Sequence, residues 1–249
     1  MSKKYKGKTC VYCGTASSTT ADHVVAREFF LETRRNDLPK APACERCNAE
    51  KSRLEHYLTT ILPFAGRHAD AFVNLETMVP KRLQKNAKLR SELVAGLAEI
   101  HDAGGLEEYA TSLPLDYIQL ERLFALIAKG LAWHHWKVIL KPGYSVMAAF
   151  FMDRGAKLIE HTFAQFKESN RISVSLGEGT FFYEALQDSN DPHLSFWRFS
   201  IYGGASFGGD PSLPGERASQ IVAVTGSDAD PLIRRLRETV FGQNVLCSP

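Results

Sequence analysis

Four cysteines near the N-terminus form two pairs with the spacing Cys-x2-Cys, Cys10 with Cys13 and Cys44 with Cys47. Thiolates at this spacing can close a tetrahedral zinc site with Zn–S bonds of about 2.3 Å. Thirty residues separate the two pairs, more than in a simple zinc ribbon, so a further segment is held on the metal-bound frame. Four buried structural cysteines without a metal are the alternative.

An acid and an imidazole, Asp22 and His23, lie between the two cysteine pairs. They begin a short β-branched segment, residues 22–25, which predicts a strand. The apolar pattern predicts a helix over residues 44–62. One face of this helix carries Cys44, Cys47, Asn48, Lys51 and Glu55. A zinc site would therefore fix the helix against the strand that carries Asp22 and His23.

The order Cys-x2-Cys, Asp-His and Cys-x2-Cys-Asn-x2-Lys within residues 9–60 resembles the HNH endonucleases, which have a ββα-metal fold. The resemblance implies that His23 is the general base and that Asp22 and Asn48 bind one catalytic Mg²⁺ or Mn²⁺ ion. It also implies that the four cysteines bind a structural zinc ion. Cleavage by such an enzyme would leave 5′-phosphate and 3′-hydroxyl ends.

One position of the HNH motif stays open in this sequence. Many members of the family carry a central Asn before the second cysteine pair, where it braces the loop under the general base. The nearest matches are Asn36 and Asp37, and the sequence does not decide between them. Without such a brace, the loop that holds His23 would be less rigid and the nuclease slow or inactive.

The residue types suit phosphodiester cleavage independently of the family. The imidazole of His23 has the pKa needed to deprotonate a water molecule near neutral pH. The carboxylate of Asp22 and the amide of Asn48 are hard oxygen ligands that suit Mg²⁺, whereas thiolates suit zinc. Lys51 and Arg27 are the predicted substrate-binding residues, as phosphate contacts, although each taken singly could be a solvated surface charge.

Two other classes of function fit the same residues. The first is a non-catalytic zinc-binding module, a pseudo-nuclease that docks nucleic acid or protein, in which Asp22 and His23 have structural roles. In the second, residues 66–249 form the functional part and the HNH unit is its effector, switched by a ligand or partner. Loss of cleavage with retained fold and zinc after His23→Ala would distinguish a nuclease from a binding module.

Beyond residue 65 the sequence predicts a larger second region, with two helices over residues 69–100. The further predicted elements are a connector over 101–114, helices over 115–140, 145–169 and 231–241, and antiparallel strands over 172–176, 181–186, 196–202 and 221–224. The predicted fold class is therefore α+β. An N-terminal ββα-metal HNH module with a structural zinc (1–65) precedes a mainly helical region and an antiparallel β-sheet (66–249) that would recognise substrate or partner.

The bulk composition says little about partners. A net charge of +2 over 249 residues is too small to indicate nucleic acid by itself. Residues 1–56 hold eleven Lys and Arg against seven acids, which suits a DNA partner and leaves RNA open. The sequence has neither a secretory signal nor about eighteen consecutive apolar residues, so we expect a cytoplasmic protein without a membrane partner.

Two expectations about the biological setting come from where similar modules are commonly found. We expect a homo-oligomer or an activating partner protein, because a single HNH site cuts one strand per encounter. We also expect a role in restriction, mobile-element biology or antiviral defence against phage.

Overall fold

The computed structural model describes eight segments of the chain: residues 4–95, 97–101, 107–111, 115–152, 170–204, 207–208, 217–239 and 246–247. Within them, helices are combined with antiparallel strands, which confirms the coarse α+β fold class. None of the helices in these segments is long and apolar enough to cross a membrane.

The N-terminal segment contains two short strands and a long helix. β1 (Thr20–His23) pairs antiparallel with β2 (Lys40–Ala43), and α1 (Glu45–Ile61) follows directly. A short 3₁₀ turn (Leu62–Ala65) continues from α1. The helix predicted over residues 44–62 is therefore confirmed to within one residue at each end.

β1 ends at His23, whereas the sequence predicted that Asp22 and His23 begin a strand. Pairing with β2 ends at His23 and Lys40, and Val24 and Val25, both fully buried, follow in the loop. The Val24 amide donates to the Pro39 carbonyl at 2.8 Å. As a result, His23 is the last residue of its strand and adjoins the following loop.

Three short helices follow α1, where the sequence predicted two over residues 69–100. They are α2 (Ala69–Thr77), α3 (Val79–Lys85) and α4 (Ala87–Ala95). Pro80 lies in the first turn of α3, where a backbone N–H group would have no partner within the helix. Proline, which lacks this N–H group, is therefore compatible with the start of a helix. The additional break comes at Asn86, whose side-chain oxygen accepts a hydrogen bond from the Leu89 amide at 3.0 Å and caps α4.

A β-hairpin and a long helix come next. β3 (Leu97–His101) pairs with β4 (Glu107–Thr111). The sequence predicted helix up to residue 100 and a connector from residue 101, so the helix prediction is wrong for residues 97–100 and the hairpin was not predicted. α5 (Tyr117–Trp136) is the helix predicted over residues 115–140. It ends four residues earlier than predicted, because Lys137 adopts a left-handed backbone conformation with a φ of 59°.

In the described residues, the C-terminal part of the chain forms a seven-stranded antiparallel sheet. In spatial order its strands are β11 (Leu246–Cys247), β5 (Tyr144–Met152), β10 (Arg217–Ser227), β8 (Ser195–Ile201), β7 (Phe181–Gln187) and β6 (Asn170–Leu176), with β9 (Phe207–Gly208) paired to β10. β6, β7, β8 and β10 confirm the four predicted strands. The predicted closing helix is present as α6 (Pro231–Thr239).

β5 contradicts the helix that the sequence predicted over residues 145–169, whose remaining residues 153–169 lie outside the described segments. Val146 and Ala148 belong to the core that contains α5, whereas Met147 and Ala149 pack with residues of α6. Both faces of β5 are therefore covered. A strand buried on both faces has a continuous apolar run without period-two alternation, which cannot be told from a buried helix by its pattern.

A single hydrophobic core joins the two predicted segments, residues 1–65 and 66–249. It contains the four cysteines and the valines after β1, together with the buried face of α5 and one face of the sheet. α5 and the residue after His23 approach closely at Gly130, where an added methyl group would lie 2.6 Å from Val24 Cγ1. The position of His23 therefore depends on packing against the second segment.

Polar contacts also anchor the loop after β1. The Phe29 carbonyl accepts hydrogen bonds from the Tyr202 hydroxyl at 2.9 Å and from the Asn74 side-chain amide at 3.1 Å. Arg34 forms an ion pair with the buried carboxylate of Asp70 at 2.7 Å. These contacts connect the loop to α2 and to the residue that follows β8.

His135, near the end of α5, makes the fold sensitive to acid. Its Nε2 atom lies 2.8 Å from the Tyr183 hydroxyl oxygen. Burial, followed by the charges of His134 and Lys137, lowers the pKa of His135 from 6.5 to about 4. The unfolded chain thus binds a proton that the folded chain does not. The contribution of the neutral His135 to the free energy of unfolding is present above about pH 6.5. It decreases as the pH falls and is fully lost below about pH 4.

We expect His135→Gln to remove this loss. Because His135 is partly exposed and solvent screens its charge, the wild type should lose about 1–2 kcal/mol through this group by about pH 5. Urea unfolding near neutral pH and near pH 5 measures the difference. His193→Gln, in the turn between β7 and β8, is the control and should lose as much as the wild type. An equal loss in His135→Gln would contradict the assignment.

Candidate active site and metal centre

The four cysteines come together in the fold. Cys10 and Cys13 lie in a turn before β1, Cys44 immediately precedes α1, and Cys47 lies in its first turn. All four are buried, and their sulfur atoms lie within 4.8 Å of one another. Four sulfurs bound to one zinc ion at about 2.3 Å are about 3.8 Å apart. The group could therefore hold a metal ion such as zinc after small shifts.

The surroundings of the cysteines contain groups that stabilise negative charge. At Cys13, hydrogen bonds from Thr15 and Ala16 outweigh burial and lower the pKa of the thiol to about 6, whereas burial raises the pKa of the Cys10 and Cys47 thiols. Lys129 of α5 is buried close to the cysteines, and its Nζ donates to the Tyr12 carbonyl at 2.9 Å. Its positive charge would offset part of the two negative charges of a zinc ion bound by four thiolates.

His23 lies in an open cleft of about 510 Å³. The walls of this cleft are the loop after β1, one face of α1 and one face of α3. Burial, followed by the charges of Lys40 and Arg27, lowers the pKa of His23 below its usual value. This direction favours the neutral imidazole, which can accept a proton from a group in the cleft.

Lys51 connects α1 to the residues at the end of β1. Its side chain is fully buried, and its Nζ donates to the His23 carbonyl at 2.8 Å. Nζ also lies 3.0 Å from Asp22 Oδ2 and donates to the carboxylate of Glu55. The Tyr12 hydroxyl donates to the same Oδ2 atom of Asp22. One ammonium group thus holds both carboxylates and the main chain of His23.

Asp22 has one carboxylate oxygen that this network does not use. Tyr12 and Lys51 both contact Oδ2, while Oδ1 forms no hydrogen bond with any residue in the described segments. Asp22 lines the cleft, as does Glu55, whose pKa burial raises to about 7. A carboxylate oxygen beside an open cleft fits a ligand of a hard divalent cation, which keeps most of its waters.

The described segments hold no second ready-made metal cage. Apart from the four cysteines, no group of three His, Cys, Asp or Glu residues in these segments is close enough to bind one ion. A divalent ion in the cleft would therefore have few protein ligands and would rely on water and substrate oxygens. Mg²⁺ commonly binds in this way, through one or two carboxylates and substrate phosphates.

The structure brings some of the sequence-predicted residues to the cleft and leaves others outside it. Asp22, His23 and the exposed Arg27 line it. Asn48, in the first turn of α1, is not among the lining residues. The burial of Lys51 does not favour the predicted phosphate contact and indicates a positioning role instead.

The sequence left the brace under His23 open between two residues. Asn36 and Asp37 are exposed in the turn before β2, and neither side chain hydrogen-bonds to a residue in the described segments. The Lys51 bond to the His23 carbonyl holds this position instead. Lys51 stood in the motif, but its burial depends on tertiary packing that a motif does not encode.

Sequence reasoning missed the basic residues of α3. Lys81 and Lys85 line the cleft opposite α1, although they lie more than fifty residues beyond His23. Their spacing of four residues places both on one face of a helix. This spacing was the only signal in the sequence, because nothing local predicts that α3 packs beside the loop after β1.

Comparisons with known proteins found no match to a family model, to a curated protein or to a solved structure.

Proposed function

We propose that the protein is a metal-dependent phosphodiesterase. The observation that carries this proposal is the position of the His23 imidazole in an open cleft, next to Asp22 with its unused Oδ1 atom. Within that class, we propose an HNH-type endonuclease that cleaves DNA. The cysteine group and the order of motif residues support this narrower assignment.

His23 would act as the general base. It removes a proton from a water molecule, whose oxygen then attacks the phosphorus atom of the scissile phosphodiester. The bond from phosphorus to the 3′ oxygen breaks, and this oxygen takes a proton from solvent, which leaves 5′-phosphate and 3′-hydroxyl ends. Lys51 keeps His23 and Asp22 in place, and Arg27 contacts the phosphate.

Two metals would have separate roles. A divalent ion such as Mg²⁺ or Mn²⁺, bound with the help of Asp22, supplies positive charge next to the scissile phosphate. The four cysteines would bind zinc as a closed structural site, because four thiolates leave no open coordination position. The cysteines then fix α1, and with it Lys51, against β1.

Plasmid cleavage tests the proposed function. Wild-type, His23→Ala and His193→Ala proteins, each checked for bound zinc by elemental analysis, are incubated with supercoiled plasmid with Mg²⁺, with Mn²⁺ or with neither. We expect nicked or linear products from the wild type and from His193→Ala when a divalent ion is present. His23→Ala should retain its zinc and its fold but give no products. RNA transcripts in parallel reactions test the choice of DNA.

Two results would contradict the proposed function. Cleavage by His23→Ala at the wild-type rate would remove His23 from the chemistry and indicate a contaminating nuclease. Zinc-bound wild-type protein that cuts neither DNA nor RNA under any of the conditions would favour a non-catalytic zinc-binding module.

A further inference from the structure

α3 presents two lysines to the cleft. Lys81 and Lys85 are four residues apart, both are exposed, and both line the cleft that contains His23. A helix rises about 1.5 Å per residue, so their Cα atoms are about 6 Å apart along the axis. Two ammonium groups at this separation can contact different phosphates of one nucleic-acid strand.

Arg82, between the two lysines, fixes the rotation of α3 about its axis. Its side chain is largely buried, and its Nη1 donates to the Thr59 carbonyl of α1 at 2.7 Å. Its Nη2 lies 3.0 Å from Glu28 Oε2 and 3.2 Å from the Glu28 carbonyl oxygen. Because Arg82 is held by α1 and by the loop after β1, Lys81 and Lys85 are directed into the cleft between them.

The charges of these lysines are available to a ligand. The side chains of Lys81, Lys85 and Arg27 form no ion pair and no hydrogen bond with a residue in the described segments. The acidic residues of the cleft already have cationic partners: Glu28 contacts Arg82, and Lys51 contacts both Asp22 and Glu55. Because the single charge of Lys51 is shared by two carboxylates, the three cations without an ion-pair partner leave the cleft with a net positive charge smaller than three, which suits a polyanionic backbone.

We propose that Lys81 and Lys85 bind neighbouring phosphates of the DNA strand that His23 cleaves. This inference rests on the proposed function and deepens it, because it makes α3 the wall along which the substrate strand lies. The lysines contact phosphates only, so they contribute affinity and register without sequence preference.

The salt dependence of DNA binding tests this proposal without cleavage. The zinc-bound His23→Ala protein is titrated with a fluorescein-labelled DNA duplex, without Mg²⁺, between about 50 and about 200 mM salt. The slope of log K against log salt is negative, and each lost phosphate contact reduces its magnitude by about 0.9 for duplex DNA. Lys81→Gln with Lys85→Gln in this background should therefore lower the slope by about 1.8. Across this salt range, the variant should lose about tenfold less affinity than its parent.

A matched pair of arginines serves as the control. Arg46 and Arg53 are exposed on α1 and line a separate groove beside Cys47. Replacing both by Gln should leave the slope unchanged. An unchanged slope in the lysine variant, or a decrease in the arginine variant alone, would overturn the proposal and would move the DNA to the other groove.

The outcomes for the two proposals are separable. If the wild type cuts no DNA but the salt slope of the lysine variant is reduced by the expected amount, the nuclease assignment fails while the phosphate-binding surface is supported. If the wild type cuts DNA and the lysine variant binds with an unchanged slope, only the surface is overturned. The melting temperature of the lysine variant should match that of its parent, because both side chains are exposed.

Discussion

Lys51→Met is expected to lower the free energy of unfolding by about 3–5 kcal/mol, because removing one partner of a buried ion pair leaves an uncompensated buried charge. Lys51 is fully buried between the carboxylates of Asp22 and Glu55. Methionine has a similar length but no positive charge, so both carboxylates would lose their cation. The His23 carbonyl would also lose its hydrogen bond, and we expect activity to fall further than stability alone explains.

The chain provides a matched control for this variant. Lys88 and Glu92 of α4 form the same type of pair, with the same spacing of four residues, but the side chain of Lys88 is 88% exposed. Exposed pairs of this kind contribute about 0.3–0.5 kcal/mol. Urea unfolding of Lys51→Met and Lys88→Met compares the two directly.

A second variant separates lost charge from lost packing. Adding Asp22→Asn to Lys51→Met removes the carboxylate that would stay charged without its cation, since the pKa of Glu55 is already raised to about 7, so the double variant should recover part of the loss. A cost for Lys51→Met no larger than that for Lys88→Met would show that the network around His23 is energetically unimportant.

Removal of zinc is expected to have the largest effect on the fold. Apparent binding free energies of structural zinc are about 10–16 kcal/mol, comparable to the whole stability of a domain, about 5–15 kcal/mol. The cysteines belong to the same core as α5 and the sheet, so the damage would not stay local. We therefore expect a strong zinc chelator, or Cys44→Ser, to abolish the cooperative unfolding of this shared core.

Elemental analysis and circular dichroism during heating check the zinc prediction. The wild type should contain one zinc ion per chain and lose it together with cooperative unfolding. The control is Cys247→Ser, since Cys247 lies far from both Cys-x2-Cys pairs in the sequence. It should retain zinc and its melting temperature. A Cys44→Ser protein with unchanged thermal unfolding would show that the four cysteines are ordinary core residues.

Local spacing carried the features that the sequence predicted correctly. The spacing within each Cys-x2-Cys pair places its two sulfur atoms close together. The helix α1 was recognised because its apolar period and both of its ends lie in one continuous stretch of sequence. Strands β6 to β8 alternate clearly enough to be recognised. For each helix, strand or single Cys-x2-Cys pair the physical signal lies within about twenty residues, whereas the two pairs approach each other across thirty residues of sequence.

Features set by tertiary contacts could not be predicted in this way. β5 resembled a helix because helices cover both of its faces, and this is visible only once α5 and α6 are in place. Lys51 looked like a surface charge because its burial depends on Asp22 and Glu55 at other positions in the fold. α3 reaches the cleft through the contacts of Arg82 with Thr59 and Glu28, which have no counterpart in the sequence pattern.

The hydrogen bonds to the Phe29 carbonyl bear on how this chain could be reused. Tyr202 and Asn74, which make them, both lie outside the first 65 residues. Transplanting those 65 residues into another protein would leave the loop beside His23 without these anchors. The first 65 residues are therefore not a self-contained unit. A functional transfer of the cleft to another protein would have to include α2 and the end of β8.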